Sequence, residues 1–163
     1  MSQIIERFEN IKSLINNSNV KIVAVTKTFE YDLVKPLVEY GHCHFGENKV
    51  QEAQAKWGTT KKEYPNLNLH MIGKLQSNKA KEAVLLFDYI HSVDNPKLAG
   101  LLSKHETNAG KKLKYFIQVN IGNEKQKSGI ALDQLDDFYN YCTNELKINI
   151  IGLMAIPPND GQE

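Results

Sequence analysis

VKIVAVTKTFEY, residues 20–31, is the stretch that decides the fold. Its opening, VKIVAVT (20–26), is a short β-branched run, long enough for a buried strand and too short for a helix. Upstream, Ile4, Ile5, Phe8, Ile11, Leu14 and Ile15 recur at helical spacing. Downstream, a helical pattern covers 32–40, with Asp32 as a candidate cap, Pro36 in its first turns and Gly41 just past its end. The segment that leaves the strand is VAVTKTFEY (23–31). It is not the Gly-x-Gly-x-x-Gly turn of a dinucleotide-binding unit, which argues against that fold.

The alternation then repeats. HCHFG (42–46) reads as a strand and KVQEAQAKW (49–57) as a helix. LNLHMIG (67–73) is a strand and NKAKEAVLLF (78–87) a helix. DYIHSV (88–93) is a strand, and Asn95–Pro96 makes a helix start, with asparagine as cap and proline at the first helical position. KLKYFIQVNI (112–121) is a strand, LDQLDDFYNYC (132–142) a helix and INIIGLMAI (148–156) a strand. Strands alternating with helices at this spacing mean βαβ units and a parallel sheet. The expected fold is α/β, a (β/α) barrel with about six of the usual eight units. The expected organisation is a single domain over 1–163, with the barrel incomplete at its C-terminal end, PPNDGQE (157–163).

The composition narrows the partners. The chain has 163 residues, 41% of them hydrophobic, enough for one domain with a real core. The formal net charge of +1 supplies no field to gather nucleic acid or an anionic membrane. Arg7 is the single arginine, so a bidentate clamp on a phosphate must use it or be absent. Cys43 and Cys142 stand far apart, as expected of reduced thiols in a cytoplasmic protein. The N-terminus carries Glu6, Arg7, Glu9 and Lys12 and lacks the apolar run of a signal peptide. No stretch reaches the roughly 18 apolar residues of a membrane span.

Five stretches could carry chemistry. Lys27 ends the first strand, at the end of a parallel sheet that carries active sites. Alternation puts Val23, Val25 and Lys27 on one face. If that face is the barrel interior, the Lys27 amine enters the mouth, is partly desolvated, and can act as the neutral amine that Schiff-base chemistry requires. Position alone favours an ordinary lysine reaching into solvent, since lysines are abundant here. In FGENKVQEAQ (45–54), Asn48 either caps the next helix or lies beside a ligand at Lys27. In HMIGKLQSNK (70–79), Lys74, Ser77 and Lys79 surround a helix start that could favour an anion, without being a P-loop. In QVNIGNEKQKSG (118–129), Gln118 and Asn120 share one strand face, a polar pocket or a solvated interior, and Glu124 and Lys127 could pair. In GLMAIPP (152–158), Met154 ends a strand near the mouth, where core filler is the default reading. His42 and His44 flank Cys43 on one face, but a metal site would need a third ligand.

Together these stretches resemble the pyridoxal phosphate homeostasis protein family, the small alanine-racemase-like barrels. The matching pieces are VAVTK (23–27), FGENKVQE (45–52), HMIGKLQSNK (70–79), QVNIGNEKQKSG (118–129) and GLMAIPP (152–158), in the family's order. The resemblance implies a barrel of pyridoxal-phosphate fold type III and Lys27 as the lysine that forms the Schiff base. It implies Asn48 and Met154 as neighbours of the cofactor, with Glu124 and Lys127 tied to regulation or stability. It implies pyridoxal 5′-phosphate supply and buffering without robust catalysis, and pyridoxal-phosphate-requiring apoenzymes as partners. The alternatives are a weak amino-acid racemase, which needs proton donors on both cofactor faces and has only poorly placed candidates such as His70, or a remnant that no longer binds the cofactor. The family continues for two more strands, with Ser-x-Gly-Met-Ser and Val-Arg-x-Gly segments that hold the phosphate. Neither segment occurs here, and a shortened coding sequence is the expectation.

Overall fold

The computed structural model describes residues 2–122 and 128–157. Six parallel strands form one sheet in the order β1-β2-β3-β4-β5-β6. They are β1 (Ala24–Val25), β2 (His44–Glu47), β3 (Asn68–Met71), β4 (Tyr89–Val93), β5 (Lys114–Gln118) and β6 (Ile150–Met154). The helices are α1 (Gln3–Leu14), α2 (Tyr31–Glu39), α3 (Val50–Trp57), α4 (Thr60–Glu63), α5 (Ala80–Leu86), α6 (Pro96–Ala109) and α7 (Leu135–Asn140). A doubly wound sheet reverses its strand order at a switch point. This sheet never does, which is the winding of a (β/α) barrel.

The two sheet faces follow from register. Parallel partners point to the same side and alternate along each strand. Phe45, Leu69, Met71, Ile90, Tyr115 and Ile117 are buried on the helix-covered face and make the core with Trp57, Phe87, Leu98 and Leu102. The opposite, inner face carries His44, Gly46, His70, Tyr89, His91, Phe116, Gly152 and Met154.

Several local expectations change. The first strand shrinks from 20–26 to Ala24–Val25, because only those residues have a ladder partner, Phe45 and Gly46. The Asp32 cap is not formed. Glu30 holds the N-cap position of α2 without a side-chain cap bond, and Asp32 lies in the first turn. Pro36 is inside α2, and Gly41 past its end has φ 99°, with His42 N–H bonding the Leu37 carbonyl. The single helix expected over 132–142 divides into a 3-10 turn (Leu132–Gln134), α7 and a wide π turn (Tyr141–Glu145). That turn buries Cys142, whose carbonyl accepts from Ile148 N–H, while Ser103 Oγ donates to the Leu146 carbonyl. Burial pushes the Cys142 thiol up to about 12, so it is an inert core group. The Asn95 cap is as expected: its Oδ1 accepts from Leu98 N–H at 2.9 Å, with Pro96 opening α6.

Candidate functional site

Lys27 is not a strand residue. Phe29 N–H bonds the Thr26 carbonyl at 3.2 Å, so Lys27 and Thr28 are the central pair of a tight turn. Thr28 has φ 67°, the left-handed value that a type II turn demands at that position and that threonine rarely adopts. The shelter expected for Lys27 is not formed: its side chain is exposed, and Val25 before it is 45% exposed. The physical reason is the two-residue β1, which has a neighbour on one side only among the described residues.

The backbone beneath Lys27 is held firmly. Thr26 is buried on the helix-covered side, and its Oγ1 donates to Glu47 Oε1 at 2.5 Å. The same oxygen accepts from Lys56 Nζ at 2.8 Å and from Trp57 Nε1 at 3.0 Å. Lys56 Nζ also donates to the Thr26 carbonyl at 2.5 Å. Glu47 comes from the end of β2, while Lys56 and Trp57 come from the last turn of α3. Glu47 lies just past the strand expected over 42–46, and Lys56 reads in sequence as one lysine among many.

Asn48 is half-buried at the top of β2, and it does not cap α3: Lys49 holds the N-cap position, with no side-chain cap bond. Its backbone is pressed against Gly73, where an added Cβ would lie 2.3 Å from the Asn48 carbonyl oxygen. That contact joins the loop after β2 to the loop after β3. Lys74 in the latter loop is exposed, and residues 77–79 form a 3-10 turn before the seven-residue α5. Gln118 is buried and paired in register with Met154, which is half-buried on the inner face. The loop after β5 returns as a bridge between Val119 and Ile130, with Gly129 N–H donating to Asp94 Oδ2 at 3.1 Å. Glu124 and Lys127 lie outside the described residues. Lys27, Asn48 and Met154 thus stand at the C-terminal ends of β1, β2 and β6, the same end of one sheet.

Lower on the inner face lies a row of imidazoles that sequence spacing resolved only in part. His44 Nδ1 is 3.0 Å from His70 Nε2, and His70 Nδ1 is 2.9 Å from His91 Nε2. Tyr89 stacks on His70 at 4.1 Å between centroids, and Phe116 on His91 at 4.4 Å. His42 leaves this row: its Nε2 bonds the His44 carbonyl at 2.8 Å. Burial, reinforced by the neighbouring imidazoles, holds His70 down to about 3; burial holds His91 to about 4. Among the described residues no His, Cys, Asp or Glu group has the geometry to hold a metal ion.

Comparison with known proteins places this geometry. The family described as "Alanine racemase, N-terminal domain" matches residues 1–163. The pyridoxal phosphate homeostasis protein of Vibrio alginolyticus is 31% identical over 98% of this chain and 73% of its own length. The protein of that name from Escherichia coli K12 is 33% identical over 88% of the chain, which spans 62% of it. Among solved structures, PipY of Synechococcus elongatus PCC7942 superposes with TM-score 0.89 without pyridoxal phosphate and 0.87 with it bound. That protein is 36% identical over 96% of this chain and 72% of its own. The alanine racemase of Clostridium difficile 630 shares the fold, with TM-score 0.74 at 14% identity, over 96% of this chain and 41% of its own. The chain belongs to the alanine racemase N-terminal domain family and, within it, to the pyridoxal phosphate homeostasis proteins.

Proposed function

We propose that this protein binds pyridoxal 5′-phosphate through Lys27 and serves intracellular homeostasis of that cofactor in the cytoplasm, as one barrel domain. The observation that carries the reading is the place of Lys27, at the same end of the sheet as Asn48 and Met154, on a strained turn whose backbone is pinned from behind. The fit is to the aldehyde end of the cofactor. The Lys27 amine would hold the cofactor by its aldehyde as an imine, and the cofactor would supply the electron-withdrawing ring chemistry. Asn48 and Met154 stand at the same end of the sheet and would border the ring. For the phosphate end, the single arginine, Arg7, lies in α1 and lines a hollow with Val25, Thr26 and Phe29, beside the Lys27 turn. The bound form of PipY, 36% identical, supports the choice of cofactor. Release to pyridoxal-phosphate-requiring apoenzymes would follow when another amine displaces Lys27.

A racemase reading has less support. His70, the candidate proton donor named from the sequence, already has both ring nitrogens engaged by His44 and His91. Burial also keeps it neutral down to about pH 3. No described helix is long and apolar enough to cross a membrane.

The test is the absorption spectrum of purified protein with pyridoxal 5′-phosphate, before and after borohydride. An imine band that borohydride bleaches, with the added mass on Lys27 and no band in Lys27→Ala, is the expected result. A band that survives Lys27→Ala would move the site elsewhere.

A further inference from the structure

We propose that Lys56 and Glu47 are positioning residues for the Lys27 amine, acting through the backbone of Thr26; this rests on the reading of Lys27 given above. The juxtaposition is specific. The peptide that joins Thr26 to Lys27 presents its carbonyl to two donors, the Lys56 ammonium at 2.5 Å and Phe29 N–H at 3.2 Å. On the preceding residue, Thr26 N–H bonds the Gly46 carbonyl at 3.0 Å, and Thr26 Oγ1 bonds Glu47. Every polar group of Thr26 is therefore committed to β2 and α3 or to its own turn.

The Lys56–Glu47 pair is the keystone of this arrangement. Its side chains are 9% and 0% exposed, in contrast to the surface pair of Lys49 and Glu52, at 69% and 43%. An ion pair this deeply set costs desolvation and is a poor device for bulk stability. It does fix geometry. Trp57, which bonds Glu47, is itself held by Phe45 and Tyr31, at 4.8 Å and 5.9 Å between ring centroids. Glu47 Oε1 collects three donors, while Oε2 has none among the described residues, so the carboxylate is oriented by one oxygen alone.

The strain lies on the other side of Lys27. Thr28 holds φ 67° beside a fixed Thr26, to which the Phe29 amide closes the turn. Releasing the Thr26 carbonyl from Lys56 lets Thr28 relax to negative φ, which swings Lys27 away from its present position. The two residues thus set where the amine stands without touching what it binds.

The experiment compares wild type, Lys56→Met, the double variant Lys56→Met/Glu47→Gln and, as a surface control, Lys35→Met. The double variant removes the uncompensated buried carboxylate that could unfold the single one. Each is checked for folding by circular dichroism. The readouts are the rate of imine-band appearance with pyridoxal 5′-phosphate, the pH midpoint of that band, and deuterium exchange at the Phe29 amide. The expected result is at least a tenfold slower reaction, a shifted midpoint and faster Phe29 exchange in the Lys56 variants, with Lys35→Met like wild type. If wild type forms the band and the folded double variant matches it in rate and midpoint, the positioning role is wrong and the Lys27 assignment stands. Slowing without change in Phe29 exchange also overturns it, since the effect then bypasses the turn. A wild type that forms no band removes the Lys27 reading, and this inference with it.

Discussion

His70 is buried on the inner face with each ring nitrogen facing another imidazole, so it works as a neutral ring that accepts at one nitrogen and donates at the other. Burial is the first cause that lowers it from 6.5 to about 3; for His91 the same cause gives about 4. The unfolded chain takes up these protons near 6.5, and the folded chain resists them. Their contribution to stability is therefore complete above about 6.5 and is lost as pH falls towards 3 to 4. Each proton involved gives a slope of about 1.4 kcal/mol per pH unit. Urea unfolding between pH 7 and 4 should show stability falling with acidification, and His70→Gln should flatten the curve by about one proton. A flat wild-type profile would mean that the imidazoles are not protected in solution. Glu106 makes a second residue-scale case. It is buried in α6, and its Oε1 accepts from Leu113 N–H at the start of β5. Glu106→Ala leaves that amide without a partner and should cost about 1–3 kcal/mol in denaturant unfolding.

Among the elements, the loops after the strands do most to shape the site, and small residues set how closely they pack. Gly73 lets the loop after β3 lie on the Asn48 backbone, where a methyl group would meet carbonyl oxygen at 2.3 Å. Backbone cannot yield as a flexible side chain can. Gly73→Ala should destabilise by about 1–3 kcal/mol and weaken pyridoxal 5′-phosphate binding several-fold, read by thermal unfolding and a spectral titration. Asn95→Ala should cost about 1 kcal/mol through α6 alone and leave cofactor binding unchanged, because among the described residues its side-chain bonds are to Leu98 and Asp94. The same elements show what periodicity could deliver. Asn95–Pro96 carried its own capping chemistry and was legible. Asp32 and Asn48 had the right residue type for caps, yet both helices begin elsewhere, at positions fixed by how β1 and β2 end.

At the scale of the whole molecule, the sheet is one-sided at both limits. β1 and β6 each pair with one neighbour among the described residues. On the outer face of β6, Ile151 is 46% exposed and Leu153 54% exposed. Unpaired strands with apolar side chains favour association. Sedimentation velocity over a concentration series should show self-association that Leu153→Lys reduces, with secondary structure unchanged. An equally monodisperse wild type would show that these edges are quiet.

The chain order of six strands and the α6 cap follow from local chemistry: β-branched runs, helical spacing and cap residues are written residue by residue, and motif order pointed to the barrel. The short β1, the turn at Lys27, the left-handed Thr28, the Lys56–Glu47 pair and the His44–His70–His91 row are decided only by tertiary structure. They join residues as many as 30 positions apart, Lys56 to Thr26. No periodicity or propensity within a strand or helix encodes which neighbouring strand stands beside it or in what register.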